Sequence, residues 1–223
     1  MWKILAILLG TLVVLLVALD RGGVYLAEYE AGKSIQDSQH LPSRPDVDLH
    51  GVPFLTQLLG GEFDHVTIDA DGITVHPLNR DLRLSQMHVD LHDVSVSRSF
   101  SSFHTRTADA TAIITYADLG AALGGVELTY QGNGHVQGRE SVLGFTASVT
   151  TQPTLVGQGL HFNDVQISVP GPLAGQVESK VRPLFSQDLP LVGLPFGLQV
   201  ESLKVDPAGV HLQLHGTDVS YSA

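Results

Sequence analysis

The chain has 223 residues, no cysteine, 23 Asp and Glu against 12 Lys and Arg, and a formal charge of −11. The missing cysteine excludes disulfides, thiolate chemistry, Cys-based metal sites and a lipoprotein anchor, which needs an acylated Cys. The acidic balance argues against nucleic acid, whose phosphates must be neutralised by Lys and Arg, and against a polybasic clamp on anionic lipid.

The chain opens Met1-Trp2-Lys3, and residues 4–19 are then apolar apart from Gly10 and Thr11, up to Asp20 and Arg21. Sixteen helical residues span about 24 Å, slightly short of a bilayer core of roughly 30 Å. Trp2 and Lys3 on one side, and Val24, Tyr25 and Leu26 on the other, can extend the stretch. A charged start followed by a long apolar run is an export-type segment. The small residues that cleavage requires are poorly placed around Ala18, which favours an uncleaved signal-anchor over a cleaved signal peptide. Lys3 and Arg21 flank opposite ends, so the positive-inside bias is weak. The expected localisation is the cytoplasmic membrane, single-pass, with the domain on the extracytoplasmic side.

Residues 24–39 keep a helical pattern through Leu26, Tyr29, Ala31 and Ile35, and Pro42 and Pro45 mark entry to a domain. The expected organisation is therefore an anchor over 1–22, a helical stalk over 23–45 and one domain over 46–223. A domain of that length builds an adequate core without disulfides.

The domain alternates at period two for most of its length. Val66, Ile68 and Ala70 lead to Asp71-Gly72, a tight-turn signal, after which Ile73 and Val75 resume. Leu82–Val96 reads as one long strand whose apolar parity changes between Leu91 and Val94, so a bulge is expected near Asp93. Further strand-like runs cover 107–115, 126–131, 142–150, 155–169, 198–205 and 210–221, and 99–105 reads as a polar loop. Short helices are expected at 54–59 and at 116–123, the latter opened by the capping pattern Thr115-x-x-Asp118. A longer helix is expected over 172–187, with Pro172 in its first turn and a kink or break at Pro183. An internal repeat joins Gly51-Val52-Pro53-Phe54 to Gly193-Leu194-Pro195-Phe196, each followed by a hairpin pattern.

His88-x-Asp90-x-His92 puts three possible ligands on one strand face. Plain alternation with Met87, Val89 and Leu91 explains the spacing, so a solvated face is the better reading. His211 and His215 receive the same reading. No nucleophile elbow, phosphate loop or zinc-protease motif is present, and no catalytic residue, metal or cofactor is assigned. The apolar constellation of interest is Phe54, Leu55, Leu58 and Leu59 near one end, with Phe196 near the other. Leu173, Val177, Val181, Leu184 and Phe185 share one face of the long helix. A lipid groove and an ordinary core read alike at this level.

Two motifs carry a family resemblance. Gly51-Val52-Pro53-Phe54-Leu55-Thr56-Gln57-Leu58-Leu59-Gly60-Gly61-Glu62-Phe63, followed by Asp71-Gly72, resembles the LmeA family of exported actinobacterial phospholipid-binding proteins. So does Leu194-Pro195-Phe196-Gly197-Leu198 followed by Asp206-Pro207-Ala208-Gly209, with Tyr116-Ala117-Asp118-Leu119 between them. The resemblance runs from about residue 28 to 221. It implies an α+β fold of TULIP-like type: an N-terminal transmembrane helix, then an elongated, curved, mainly antiparallel sheet wrapping helices around an apolar groove. It implies phospholipid binding and, in some members, support for envelope lipoglycan assembly; it offers no catalytic residue.

The expected function is a non-enzymatic phospholipid binder of the cell envelope, with acyl chains in the groove and a role in lipoglycan assembly or lipid transport. Arg80, Arg83, Arg98, Arg106 and Arg139 are the cations on offer to a phosphate. The competing reading is an envelope scaffold that recruits an assembly enzyme and holds no lipid. Expected partners are phospholipid, the membrane through the N-terminal helix, and envelope biosynthesis proteins.

Overall fold

The computed structural model describes residues 2–76, 80–97, 102–142, 144–169, 171 and 174–222. The chain begins with α1 (Trp2–Gln39), β1 (Asp46–His50), α2 (Phe54–Gly60), β2 (Glu62–Val75), β3 (Leu82–Val96) and β4 (Ser102–Ile114). Then come α3 (Tyr116–Ala122), β5 (Glu127–Gly132), β6 (His135–Val142), β7 (Phe145–Val156), β8 (Gly159–Ser168), α4 (Ala174–Phe185) and β9 (Leu189–Pro190). A single 3-10 turn at Pro195–Gly197 precedes β10 (Gln199–Asp206) and β11 (Gly209–Ser222). The class is α+β. One sheet has the order β1-β2-β3-β4-β11-β10 and the other β5-β6-β7-β8-β9. The pairs β1/β2, β10/β11, β5/β6, β6/β7 and β7/β8 are antiparallel.

The chain forms two compact units. The first comprises Met1–Ala70, Val89–Ala108 and Thr217–Ala223; the second comprises Asp71–His88 and Asp109–Gly216.

In the first unit, α1 runs unbroken from the apolar segment to Gln39, so residues 40–45 of the expected helical stalk are not helical. Leu9, Leu12, Leu15, Leu16 and Leu19 along it are all more than half exposed. Its later turns pack on the domain. The Glu28 carboxylate accepts the Leu49 N–H at 3.0 Å, and the Arg44 guanidinium lies 4.5 Å over the Tyr29 ring. Buried Phe54, Phe63, Val66, Ile68, Val89 and Leu91 form the core of this unit. In the second unit, α3 and α4 cover strands, and buried Leu119, Leu123, Val149, Leu160, Val177 and Val181 meet among them. Apolar burial of this kind is the main favourable term in folding.

Several local expectations hold. β3 has the expected bounds, and Asp93 has φ 53° where burial switches parity between Leu91 and Val94. α3 is capped as its sequence requires: Thr115 Oγ1 accepts the Asp118 N–H at 3.1 Å and donates to the Asp118 carboxylate at 2.5 Å. α4 ends at Phe185, two residues past Pro183, which has no N–H to give the Ser179 carbonyl and whose ring crowds it, so the helix stops there. The expected start of this helix at Pro172 and Leu173 lies outside the described residues.

Others are corrected. Asp71-Gly72 is not a turn: β2 passes straight through it, with Gly72 at φ 70°. The glycine takes a left-handed conformation that shifts parity inside one strand, as at a bulge. Only the second copy of the repeat therefore makes its hairpin, with Val205 opposite Val210 and Asp206 opposite Gly209. Residues 102–105 belong to β4 and not to a polar loop, and residues 99–101 lie outside the described residues. The run 155–169 is broken by a two-residue turn at Gly157-Gln158, because Val156 pairs with Gly159. β1 and β6 were not expected as strands; each carries polar residues that dilute the alternation.

Candidate functional site

The apolar constellation divides between the two units. In the first, α2 buries Phe54 to 1% exposure, half-buries Leu55 and Leu58, and leaves Leu59 88% exposed. Pro53 cannot cap this helix, since it has no side-chain acceptor. The role passes to Asp20 on α1, buried to 6%, whose Oδ1 accepts the Leu55 N–H at 2.8 Å. Helix α2 ends on Gly61 at φ 69°, whose N–H returns to the Gln57 carbonyl at 2.8 Å. The Gly61 carbonyl then accepts the Val96 N–H at 2.8 Å. Phe54 meets Phe63 with ring centroids 6.2 Å apart.

In the second unit, Val177, Val181 and Phe185 on α4 are at most 1% exposed, and Leu184 is half-buried. Phe185 meets Phe162 edge to face at 5.4 Å and 81°. The backbone of Gly138 makes room for this packing: a Cβ there would lie 3.2 Å from Phe185 Cζ and 2.9 Å from Val126 Cγ1. Phe196 is half-buried with φ 59°, in the 3-10 turn. Leu173 lies outside the described residues. Of the ten residues named from the sequence, Phe54, Val177, Val181 and Phe185 are thus core walls, while Leu55, Leu58, Leu59, Leu184 and Phe196 keep accessible surface.

An open pocket of about 600 Å³ in the first unit is lined by Ser95, Val96, Ser97, Ser102, Phe103, His104 and Ser220. None of the ten lines it. On its polar side, His104 Nδ1 lies 3.0 Å from Ser220 Oγ, and His104 Nε2 lies 4.0 Å from Asp218 Oδ1. Asp218 is 82% exposed and His104 about half exposed, so the pair lacks the burial of a serine-triad acid and base.

The cations mostly have local partners. Arg80 donates to the Ala122 carbonyl at 3.3 Å, Arg83 sits 3.8 Å from Asp118, and Arg106 sits 3.1 Å from Asp93. Arg139 donates to Gln137 at 3.2 Å, and Arg98 lies outside the described residues. No converging phosphate site is formed by them among the described residues.

Several histidines pair with aspartates, three of the following four pairs across neighbouring strands. His65 lies 2.9 Å from Asp90, His161 2.5 Å from Asp188, His211 3.0 Å from Asp206 and His215 2.7 Å from Asp109. Asp90 and His92 of the candidate ligand triplet both turn to His65, which stacks between His50 (4.5 Å) and His92 (4.8 Å). Among the described residues no group of three His, Asp or Glu is arranged to hold a metal. Sequence reasoning missed this imidazole stack because its members come from three strands. The Asp109 carboxylate holds His215 above its ordinary value, while the Ala208 N–H, then His211, holds Asp206 below its own. Burial, then the charges of Asp206 and Tyr130, pushes Tyr116 up to about 12, and its hydroxyl donates to the Asp206 carbonyl.

The family model for LmeA-like phospholipid-binding proteins matches residues 18–215. The chain belongs to the LmeA-like phospholipid-binding family. The resemblance read from the two Pro-Phe motifs is thereby established over nearly the whole domain of this LmeA-like protein. The match begins in the last turn of the apolar run and takes in Asp20 and Gly23, the two α1 residues that meet α2. No curated protein and no solved structure matches the chain.

Proposed function

We propose that this LmeA-like protein is a non-enzymatic phospholipid carrier or presenter of the cell envelope, held by α1 in the cytoplasmic membrane with its domain on the extracytoplasmic side. The observation that carries the reading is the family match over residues 18–215. The apolar, exposed surface of α1 supports the anchor, as its length and composition suit a membrane span. Its retention is supported by packing, because Asp20 and Gly23 are built into the contact with α2. Removing the segment through residue 20 would take away the α2 cap. In this reading 1–22 is the span, 23–45 the stalk and 46–223 the lipid-binding part.

The ligand's acyl chains would lie against apolar side chains that keep accessible surface within a unit, Leu55 and Leu58 in the first or Leu184 and Phe196 in the second. Buried Phe54, Val177, Val181 and Phe185 shape the walls behind them. Burial contributes about 0.8 kcal/mol per CH₂. Two long chains would therefore bind tightly without a basic headgroup site, which suits a chain of charge −11. Support of lipoglycan assembly or of lipid transport follows as a role for such a carrier, with envelope biosynthesis proteins as partners.

The test is solvent extraction of the purified protein followed by mass spectrometry, with uptake of labelled phospholipid from vesicles alongside. A stoichiometric phospholipid is expected. Reproducible absence of lipid together with no uptake would overturn the reading.

A further inference from the structure

The apolar run of α1 is too short for the bilayer it is read to cross. Residues 4–19 give about 24 Å of helix against a core of roughly 30 Å. The shortfall of about 6 Å corresponds to about four more residues at 1.5 Å each; shared between the two flanks, it sets the outer edge of the hydrocarbon between residues 20 and 23.

That is the level at which α2 is fastened. A Cβ on Gly23 would lie 3.3 Å from the Phe54 ring and 3.8 Å from Leu55 Cδ2, and Asp20 holds the Leu55 N–H. The carboxylate that would otherwise face the membrane edge is covered by α2. Leu55 is thereby turned toward α1 and half-buried, while Val52, just before α2, and Leu59, in its last turn, stand open. Val52 is 73% and Leu59 88% exposed. On α1 itself, Tyr25 and Leu26 are 70% and 66% exposed just past Gly23, and Tyr favours the membrane–water boundary. The eleven residues from Gly51 to Gly61 carry no charge, in a chain of net −11. Exposed apolar side chains on an uncharged segment held at this height beside the span have one fitting occupant, the headgroup–acyl boundary of the outer leaflet.

We infer that α2 is a membrane-surface element: Val52 and Leu59 sit in the outer boundary of the bilayer beside α1, whose own apolar span is short. The inference rests on the proposed reading of α1 as a span. It adds that the domain does not stand off on its stalk but touches the leaflet from which a phospholipid would be drawn.

The chain has no cysteine, so single-cysteine labelling is clean. Leu59→Cys, Leu12→Cys and Lys33→Cys variants of the full chain would each carry an environment-sensitive fluorophore in phosphatidylcholine vesicles. Leu12 lies within the apolar run, and Lys33, exposed, lies ten residues or about 15 Å of helix beyond Gly23. The expected result at position 59 is blue-shifted emission, loss of quenching by aqueous iodide and quenching by spin-labelled phosphatidylcholine, as at position 12, with the opposite behaviour at position 33. Val52→Cys repeats the measurement at the other end of α2. If position 12 is embedded and position 59 behaves like position 33, the inference is overturned and the span stands. If position 59 is shielded from iodide yet untouched by the lipid spin label, protein covers it and the inference is equally overturned. If position 12 is not quenched by lipid, the span fails and the inference falls with it.

Discussion

Replacing Phe185 with alanine separates a core wall from a ligand contact. The ring is 1% exposed and meets Phe162 edge to face at 5.4 Å, with Gly138 opened behind it. Truncating a buried Phe to Ala costs about 3–5 kcal/mol, through lost transfer energy and the cavity left behind. About 0.5–1.5 kcal/mol of this belongs to the aromatic pair. Against a domain stability of about 5–15 kcal/mol this is a large loss. With a urea m value of about 2 kcal/mol/M the midpoint falls by roughly 2 M. The assay is urea unfolding of lipid-free protein in mild detergent, followed by far-UV circular dichroism, in which the β signal reports the domain. A loss below about 1 kcal/mol at unchanged m would refute the reasoning, since a ring that carries so little of the lipid-free fold belongs to a ligand site. Gly138→Ala supplies a second measure. Its Cβ would meet Val126 Cγ1 at 2.9 Å and Leu128 Cδ2 and Phe185 Cζ at 3.2 Å, and overpacking of this kind costs about 1–3 kcal/mol. Combined with Phe185→Ala the two losses should be less than additive, because they share the Phe185 contact.

Asp20→Ala removes the acceptor for the Leu55 N–H; a cap loss of about 0.5–2 kcal/mol is expected, read as faster amide hydrogen exchange at Leu55 than in the parent chain. Thr115→Ala should cost a similar 0.5–2 kcal/mol, roughly, by uncapping α3, measured by thermal unfolding; an unchanged midpoint would contradict the cap. His215 titrates above 6.5 because Asp109 accepts its proton, so this contact stabilises the fold below 6.5 and is lost as pH rises through the raised value. In Asp109→Asn the NMR titration of His215 should move down, and stability should fall on the acidic side more than on the alkaline side. Of the five tyrosines, Tyr116 should ionise late, at about 12. Ultraviolet titration of Tyr116→Phe should lose that last step, and retention of the step would assign it elsewhere.

Local chemistry was legible in the sequence wherever neighbouring residues alone settle the conformation. The apolar run predicts the helix at the start of α1, Thr115-x-x-Asp118 predicts a capped helix, and Asp206-Pro207-Ala208-Gly209 predicts a hairpin. The parity change between Leu91 and Val94 predicts a bulge at Asp93, since every side chain of a strand must choose a face. The two Pro-Phe motifs were enough to name the family.

What only the tertiary structure decided depends on partners distant in the chain. Asp71-Gly72 and Asp206-to-Gly209 carry similar turn chemistry, yet one is absorbed into a continuous strand and the other reverses the chain. A left-handed glycine serves either purpose, and the ladder on both sides of it selects which. Asp20 read as the residue that closes a membrane segment, and it caps a helix that begins 34 positions later, at Phe54. His50, His65 and His92 are unremarkable in their own strands and form a stack only when β1, β2 and β3 are laid side by side. The apolar constellation shows the same limit. Phe54 and Leu59 are equally apolar in sequence, but packing buries one to 1% and leaves the other 88% exposed. Hydrophobicity states that a side chain will leave water; only the fold determines whether it goes to the protein's own core or remains available to a membrane or a lipid.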